Sequence, residues 1–338
     1  MFDLADKRIL VLGHRGMVGS AIIRRLQTTT CTILTAERSD ADLRRQSAVE
    51  ALISRLAPDA IILAAAKVGG IYANDTYPAE FLYDNLVMTT NVVEAAHRAD
   101  VNRMLILGSS CIYPKFADQP ITEDALLTGP LEPTNEWYAI AKIAGIKLAQ
   151  AYRRQYERDY ISAMPTNLYG PGDNFDLATS HVLPALIRKV HEAKMSGEKS
   201  VTIWGSGTPK REFMHCDDCA SALIYLLEHY SGHEHVNVGT GSDLSIHELA
   251  LKICKAVGFH GEIRNDLSKP DGTPRKLMSS SRLQELGWQP AIPLEQGIAE
   301  TYQWYLDNGP LPGDVSGIHR DWNPNKSAHS HRLSAPYQ

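Results

Sequence analysis

A tyrosine and a lysine stand four residues apart at Tyr138 and Lys142, and a serine, Ser109, follows a short apolar segment further upstream. Residues four apart share one face of a helix, so both side chains can reach one pocket. A nearby ammonium favours the phenolate form of tyrosine, which would make the phenol a better proton donor at neutral pH. Such pairs also occur by chance in helices. The pair therefore predicts proton transfer only if the rest of the chain agrees.

The start of the chain supplies that agreement. Residues 8–12 predict a short buried strand, Gly13, Gly16 and Gly19 follow in a turn, and residues 20–26 predict a helix. This is the setting of a dinucleotide site, because backbone N–H groups at the helix N-terminus can hold a pyrophosphate. The first glycine permits the tight turn, the second lets the pyrophosphate approach, and the third lets helix and strand pack closely. The G-x-x-G-x-x-G spacing resembles that of short-chain dehydrogenases/reductases.

Composition narrows the function further. The chain has 338 residues and a net charge of −5, which does not indicate nucleic-acid binding. No segment resembles a signal peptide or a membrane span, and five irregularly spaced cysteines favour a reducing compartment. These features predict a cytoplasmic protein. Cys216 and Cys219 flank two aspartates without a second cysteine pair, so no metal site is predicted; residues 212–216 predict a strand, and Asp217 or Asp218 is expected to cap the next helix.

The alternation of strands and helices predicts an α/β fold with a doubly wound, mostly parallel Rossmann sheet. The expected cofactor-binding domain covers residues 1–170, and residues 212–230 return to it. Residues 171–211 and 231–308 are expected to form a smaller, discontinuous α/β lobe that binds the substrate. The tail, residues 309–338, is rich in Pro, Ser and His, and we expect it to be poorly ordered.

Five longer segments carry a more specific resemblance, and they are residues 13–19, 64–70, 108–114, 165–171 and 204–213. Together they resemble the GDP-L-fucose synthase family. Members of this family are extended short-chain dehydrogenases/reductases with 3,5-epimerase and 4-reductase activity. The resemblance implies that GDP-4-keto-6-deoxy-D-mannose is inverted at C3 and C5 and then reduced at C4 by NADPH. It also implies a homodimer formed through two long helices of the first domain, predicted around residues 86–99 and 137–154.

The resemblance assigns proton transfer at C3 and C5 to Cys111 and His181, and either could be the base. It assigns reduction to Tyr138 and Lys142, with Ser109 as a hydrogen-bond donor to the ketone oxygen. Without the flanking motifs, Cys111 would pass for a buried small residue and His181 for a helix cap.

The resemblance also implies the groups that hold NADP(H). They are Gly13, His14, Arg15, Gly16, Met17, Val18, Gly19, Arg38, Asp42, Leu43, Leu107, Gly108, Ser109, Ser110, Lys142, Pro165, Thr166, Asn167, Leu168 and His181. Arg15 and Arg38 suit a 2′-phosphate, whereas Glu37 is the residue type that accepts the ribose hydroxyls of NAD, so strictness for NADP stays open. The residues implied for the sugar nucleotide are Lys189, Trp204, Arg211 and Asp271.

Two alternatives remain. Another sugar-nucleotide enzyme, a 4-epimerase or 4,6-dehydratase, would share the fold, but a dehydratase needs a carboxyl group where this chain has Ser110 and Cys111. A protein of a different class, a silent NADP-sensing binder, would typically have lost Tyr138 or Lys142, and both are present.

Overall fold

The computed structural model describes residues 1–177, 179–269 and 271–309, without the side chains of Ile71 and Tyr72. The predicted disordered tail lies outside these residues, apart from Gly309. The helices are α1 Met17–Leu26, α2 Gln46–Leu56, α3 Ile71–Thr76, α4 Pro78–Arg98, α5 Glu136–Tyr156, α6 Val182–Met195, α7 Cys216–His229, α8 Ile246–Val257, α9 Ser281–Glu285 and α10 Leu294–Asn308. In the part of the chain that is described, no helix is both long and apolar enough to cross a membrane.

The strands are short, with two to seven residues each. They are β1 Arg8–Leu12, β2 Thr32–Thr35, β3 Ala60–Leu63, β4 Arg103–Leu107, β5 Asp159–Pro165, β6 Asn167–Tyr169, β7 Ser200–Trp204, β8 Lys210–Arg211, β9 Phe213–His215, β10 Val236–Val238, β11 Leu244–Ser245, β12 Glu262–Asp266 and β13 Arg275–Lys276.

Six parallel strands form the main sheet in the order β10-β5-β4-β3-β1-β2. Strands β3 and β4 are buried along their whole length, as expected for parallel strands covered on both faces. Residues of α1 and α7 pack on one face, and residues of α2, α4 and α5 pack on the other. The predicted doubly wound α/β fold is confirmed.

The strand order changes at β1: β2 lies on one side of β1, whereas β3 and the later strands β4, β5 and β10 lie on the other. In open parallel sheets, ligands bind outside the carboxyl ends of the strands at this kind of change. The glycine turn after β1 and residues 64–70 after β3 both lie at that edge. The fold therefore brings the glycine turn, residues 13–19, and residues 64–70 to one crevice.

Five further strands build most of the second region: β8 pairs with β11 and β13, while β7 pairs with β12. The helices α6, α8 and α10 enclose its separate apolar core. The expected boundary needs one amendment, because β10 was placed in the substrate lobe but pairs with β5 in the main sheet. Val236 and Val238 are buried there, and Leu283 of α9 joins the same core. The division into two lobes otherwise stays a prediction.

The start of α7 also differs from the expectation. Strand β9 ends at His215, and it pairs with β6 rather than with the main sheet. Neither aspartate caps the helix: the Nδ1 atom of His215 accepts the N–H of Asp217 at 3.3 Å. The Asp218 carboxylate instead accepts the backbone N–H groups of Ala291 and Ile292, at 3.1 Å and 2.9 Å. Asp218 therefore fastens α7 to the loop before α10.

Candidate active site

The glycine turn after β1 is shaped as a cradle. Gly13 has φ +90°, and a Cβ there would lie 2.5 Å from the backbone nitrogen of Ala65. A Cβ on Gly19 would collide with the carbonyl oxygen of Gly13, whereas one on Gly16 would meet nothing closer than 3.5 Å. Packing thus requires glycine at positions 13 and 19, whereas Gly16 has room around it. Since α1 has no side-chain cap, its first N–H groups remain available to a phosphate, and the cradle fits a dinucleotide.

Charged pairs surround the end of β2, where an adenosine ribose would lie. The Glu37 carboxylate forms an ion pair with Arg15 and lies 3.7 Å from Nε2 of His14. Asp42 pairs with Arg44 at 2.8 Å, and this hydrogen bond lowers the pKa of Asp42 to about 2. The carboxylate suited to the ribose of NAD is therefore already paired to one of the two arginines suited to NADP.

The turn that follows β4 carries the predicted serine and cysteine. Ser109 precedes the 3-10 turn Ser110–Ile112, and its Oγ accepts the N–H of Cys111 at 3.4 Å. A Cβ on Gly108 would collide with the Met164 side chain, so the backbone passes close to β5 at this point. Cys111 is only 7% exposed, and burial raises the pKa of its thiol.

Tyr138 and Lys142 reach this turn from α5. The Nζ atom of Lys142 donates to the carbonyl oxygen of Leu107 at 2.8 Å and lies 5.6 Å from the centre of the Tyr138 ring. Burial lowers the pKa of Lys142 to about 8 and raises the pKa of Tyr138. The expectation that the ammonium would lower the tyrosine pKa is thus wrong for the protein alone. The pocket desolvates the phenol, while the Lys142 ammonium donates to the carbonyl oxygen of Leu107.

His181 approaches the crevice from the other region, at the residue before α6. Its segment is tied to residues 64–70, because the N–H of Gly70 donates to the carbonyl of Thr179 at 3.0 Å. The walls of the cleft desolvate the imidazole and lower its pKa, although one side remains open to water. Among the described residues, no hydrogen bond joins His181 to Cys111 or Tyr138. Its pairing with Cys111 stays a prediction.

The segment between β5 and β6 lies at the same edge. Thr166 donates its N–H to the carbonyl of Val238 at 3.0 Å, and Nδ2 of Asn167 donates to the carbonyl of Glu212 at 2.9 Å. The side chain of Glu212 is fully buried and accepts the N–H groups of Thr240 and Gly241 at 2.6 Å and 2.8 Å. Sequence reasoning missed Glu212 as the group that joins these loops, since its partners are distant in the chain.

Two lysines face an exposed tryptophan in the second region. Trp204 is 60% exposed, and the Nζ atoms of Lys189 and Lys269 lie 5.3 Å and 5.5 Å from its ring centre. The Asp271 carboxylate does not stand free, because its Oδ1 accepts the N–H of Ser206 at 2.7 Å. Asp271 therefore holds the turn that follows Trp204, and its expected contact with the sugar nucleotide stays a prediction.

Two cations lie between that region and the catalytic turn. Arg211 of β8 is opposite Lys276 of β13 in the register, and burial lowers the pKa of both. The charge of Lys276 also acts on Cys111, where it opposes part of the effect of burial. Sequence reasoning did not single out Lys276, because only the pairing of β13 with β8 brings it to the site.

One cluster resembles a metal site. Ligand atoms of His215, Cys216 and Asp217 lie within 4.8 Å of one another. Arg24 already occupies the position of a cation there: its guanidinium lies 2.5 Å from Oδ1 of Asp217 and 3.7 Å from Sγ of Cys216. The cluster is therefore accounted for by an ion pair between α1 and α7.

Comparison of the sequence and the structure with known proteins identifies the family. The profile of the NAD dependent epimerase/dehydratase family matches residues 9–239. A GDP-L-fucose synthase of Sinorhizobium fredii is 60% identical over 91% of this chain and 98% of its own, and that of Escherichia coli is 53% identical over 90% and 98%. The crystal structure of a GDP-L-fucose synthetase from Naegleria fowleri bound to NADP superposes with a TM-score of 0.84 at 31% identity, covering 91% of this chain and 95% of that one. The chain belongs to the GDP-L-fucose synthase family within the NAD dependent epimerases/dehydratases.

Proposed function

We propose that the chain converts GDP-4-keto-6-deoxy-D-mannose to GDP-L-fucose, by epimerisation at C3 and C5 followed by reduction at C4 with NADPH. The observation that carries the proposal is the position of Cys111. It lies on the turn after β4, and the carbonyl of Leu107 at the end of that strand accepts the ammonium of Lys142 at 2.8 Å. A plain reductase needs only the tyrosine and the lysine, whereas a cysteine beside them adds a group that can exchange protons with the substrate.

Reduction relies on groups that receive charge at the ketone oxygen. Bound NADPH supplies the hydride, and the chain must place C4 in its path. Tyr138 can give its proton to the oxygen, and its raised pKa keeps that proton in place until charge develops. Ser109 follows β4 on the same edge and can donate a hydrogen bond to the same oxygen. Lys142, fixed by the carbonyl of Leu107, can contact the ribose next to the nicotinamide.

Epimerisation relies on two groups that exchange protons on opposite faces of the sugar. The C4 ketone acidifies the protons on C3 and C5, so one group removes a proton and another returns it. Burial raises the pKa of the Cys111 thiol and lowers that of the His181 imidazole, so both are neutral at rest. A neutral imidazole can accept a proton and a neutral thiol can donate one. We assign the two roles to this pair and leave their order to experiment.

We assign NADP(H) to the cradle of residues 13–19, with Arg15 and Arg38 at the 2′-phosphate and Asp42 and Leu43 at the adenine. Leu43 is held on α4, because its carbonyl accepts Nδ2 of Asn91 at 2.9 Å. The other predicted cofactor residues, 107–110 and 165–168, line the same edge of the sheet. The residues proposed to hold the nucleotide of the substrate are Lys189, Trp204, Arg211 and Asp271. Asp271 also supports the turn at Ser206 that follows Trp204.

The decisive experiment uses deuterium oxide and the keto sugar nucleotide. Without NADPH, the wild type should place deuterium at C3 and C5, and with NADPH it should release GDP-L-fucose. Cys111→Ala should lose the exchange, while Tyr138→Phe should keep part of the exchange but lose ~10²–10⁴-fold in reduction. Exchange by Cys111→Ala at the wild-type rate would remove the cysteine from the mechanism. A wild type that neither exchanges nor oxidises NADPH would favour a silent binding protein.

We also propose a cytoplasmic homodimer formed through α4 and α5. All five cysteines are free, as in a reducing compartment. Tyr83 of α4 and Trp137 and Ile140 of α5 are large apolar side chains exposed by 61%, 42% and 37%. The two helices contact each other near these positions, where the ring centres of Phe81 and Tyr138 lie 6.4 Å apart. Tyr83→Glu should convert the dimer to a monomer in sedimentation, and Leu251→Glu on the exposed side of α8 is the matched control. Unchanged sedimentation of both variants would place the contact elsewhere.

A further inference from the structure

A buried polar cluster lies directly behind the turn that carries Cys111. We call it the Tyr113 anchor, and its members are Tyr113, His235, Asn237 and Glu123, none more than 7% exposed. The hydroxyl of Tyr113 lies 2.5 Å from Oδ1 of Asn237 and 2.9 Å from Nε2 of His235. The N–H of Asn237 donates to Oε1 of Glu123 at 3.0 Å. Polar groups are buried in this way only when their partners are well placed, so the cluster fixes their relative positions.

The direction of every proton in the anchor follows from one carbonyl. Nδ2 of Asn237 lies 3.0 Å from the carbonyl oxygen of Ile121, which can only accept. The amide oxygen of Asn237 therefore faces Tyr113, and the phenol donates to it. The single phenol proton is then used, so Nε2 of His235 must carry a hydrogen and donate to the Tyr113 oxygen. Burial lowers the pKa of His235 to about 4, so the ring is neutral and holds this one tautomer.

The anchor joins the catalytic turn to the second region. Tyr113 follows the turn Ser110–Ile112 directly, and Asn237 and His235 belong to β10 and the residue before it. Ile121 donates its N–H to the carbonyl of Leu277 at 2.8 Å and accepts the N–H of Ser279 at 2.8 Å. Leu277 follows β13, whose register sets Lys276 opposite Arg211. Hydrogen bonds thus connect the turn with Cys111 to the strand pair of β8 and β13, where Arg211 is proposed to hold the nucleotide of the substrate.

We propose that Tyr113 is a positioning residue for epimerisation: its hydroxyl holds the Cys111 turn at a fixed place relative to the strands that bind the sugar nucleotide. This inference rests on the proposed function. Tyr113 does not touch the reacting atoms, because its hydroxyl is saturated by His235 and Asn237. It acts through Cys111, two residues away in the chain. Proton transfer is sensitive to such placement, since a displacement of about 1 Å can cost ~10²-fold in rate.

The test compares two buried tyrosines that each lose one hydroxyl. Tyr113→Phe should slow deuterium exchange at C3 and C5 by ~10–10²-fold, since the turn loses its link to β10. The control is Tyr160→Phe, because the Tyr160 hydroxyl is equally buried and donates only to the carbonyl of Val101 at 2.9 Å, away from the site. Both variants should lose thermal stability, but Tyr160→Phe should exchange at the wild-type rate.

A second pair keeps the test informative if Tyr113→Phe does not fold. His235→Gln keeps an N–H donor towards the Tyr113 oxygen, and His235→Leu removes it. Exchange should be restored in His235→Gln relative to His235→Leu. Wild-type exchange in Tyr113→Phe, or an equal loss in Tyr160→Phe, overturns the inference, as does equal exchange in the two His235 variants. Failure of the proposed function is recognised separately, because the wild type itself would then show no exchange.

Discussion

Removal of the Glu37 carboxylate should strengthen the preference for NADPH. Glu37 forms an ion pair with Arg15, and the two side chains are 35% and 73% exposed. A 2′-phosphate that arrives at the end of β2 must compete with this carboxylate for the guanidinium and is repelled by it. Glu37→Gln removes both effects and leaves the size of the side chain nearly unchanged. We therefore expect the KM for NADPH to fall and the KM for NADH to stay the same or rise.

The magnitude follows from the exposure of the pair. An ion pair between exposed side chains contributes about 0.2–1 kcal/mol, and the repulsion between the carboxylate and the phosphate is of the same order. Together they amount to about 0.4–2 kcal/mol, which corresponds to a gain of ~2–30-fold in NADPH affinity. Because water and salt screen both effects, the gain should shrink in ~0.5 M salt.

Steady-state kinetics with both cofactors, at low and high salt, measures this prediction. The matched control is Glu50→Gln. Glu50 lies on α2, and its Oε1 forms an ion pair with Nη1 of Arg98 at 3.4 Å, so the substitution removes the same charge from a different ion pair. The control should leave both KM values unchanged. A rise in the KM for NADPH in Glu37→Gln would refute the reasoning, because it would mean that the carboxylate holds Arg15 in place for the phosphate.

Three further expectations concern the same site. Arg38→Ala should raise the KM for NADPH by ~10–10²-fold and leave NADH nearly unaffected, and equal losses with both cofactors would contradict a role at the 2′-phosphate. Since the pKa of Lys142 is lowered to about 8, its ammonium is lost above that pH, so kcat/KM should fall as the pH rises through about 8. Lys142→Arg should abolish that fall, at lower absolute activity, and a limb that persists would belong to another group. Gly19→Ala should prevent NADPH binding in fluorescence titration, because the added Cβ collides with the Gly13 carbonyl, and normal binding would show that α1 can shift.

The central strands and several helices could be predicted because their signals are local. Residues 8–12 predicted β1 with its bounds, since a buried parallel strand is an apolar segment that ends in a glycine turn. The helix predicted around residues 137–154 is α5, and its observed bounds are Glu136–Tyr156. The helix predicted around residues 86–99 is α4, which begins earlier, at Pro78, and ends at Arg98.

The remaining features depend on distant residues. The shift of the Tyr138 pKa had the wrong sign, because spacing places a lysine nearby but does not reveal how completely the pocket excludes water. Asp271 was predicted only as a substrate residue, and its hydrogen bond from the N–H of Ser206, on another loop, could not be read from the sequence. The cofactor and catalytic assignments remain predictions drawn from motifs. What the structure adds is the set of groups that hold them in place.

The strand order has a consequence for synthesis of the chain. The outer edge of β5 stays without a partner until β10 is made, and Val236–Val238 follow only after the whole of α7. The buried guanidinium of Arg103 likewise donates to the carbonyls of Leu226, Leu227 and Tyr230, which leave the ribosome late. An open strand edge attracts other chains, so a fragment that ends near residue 170 should aggregate. The nucleotide-binding half is thus completed only by the half that follows it, and the two halves are made as one folding unit.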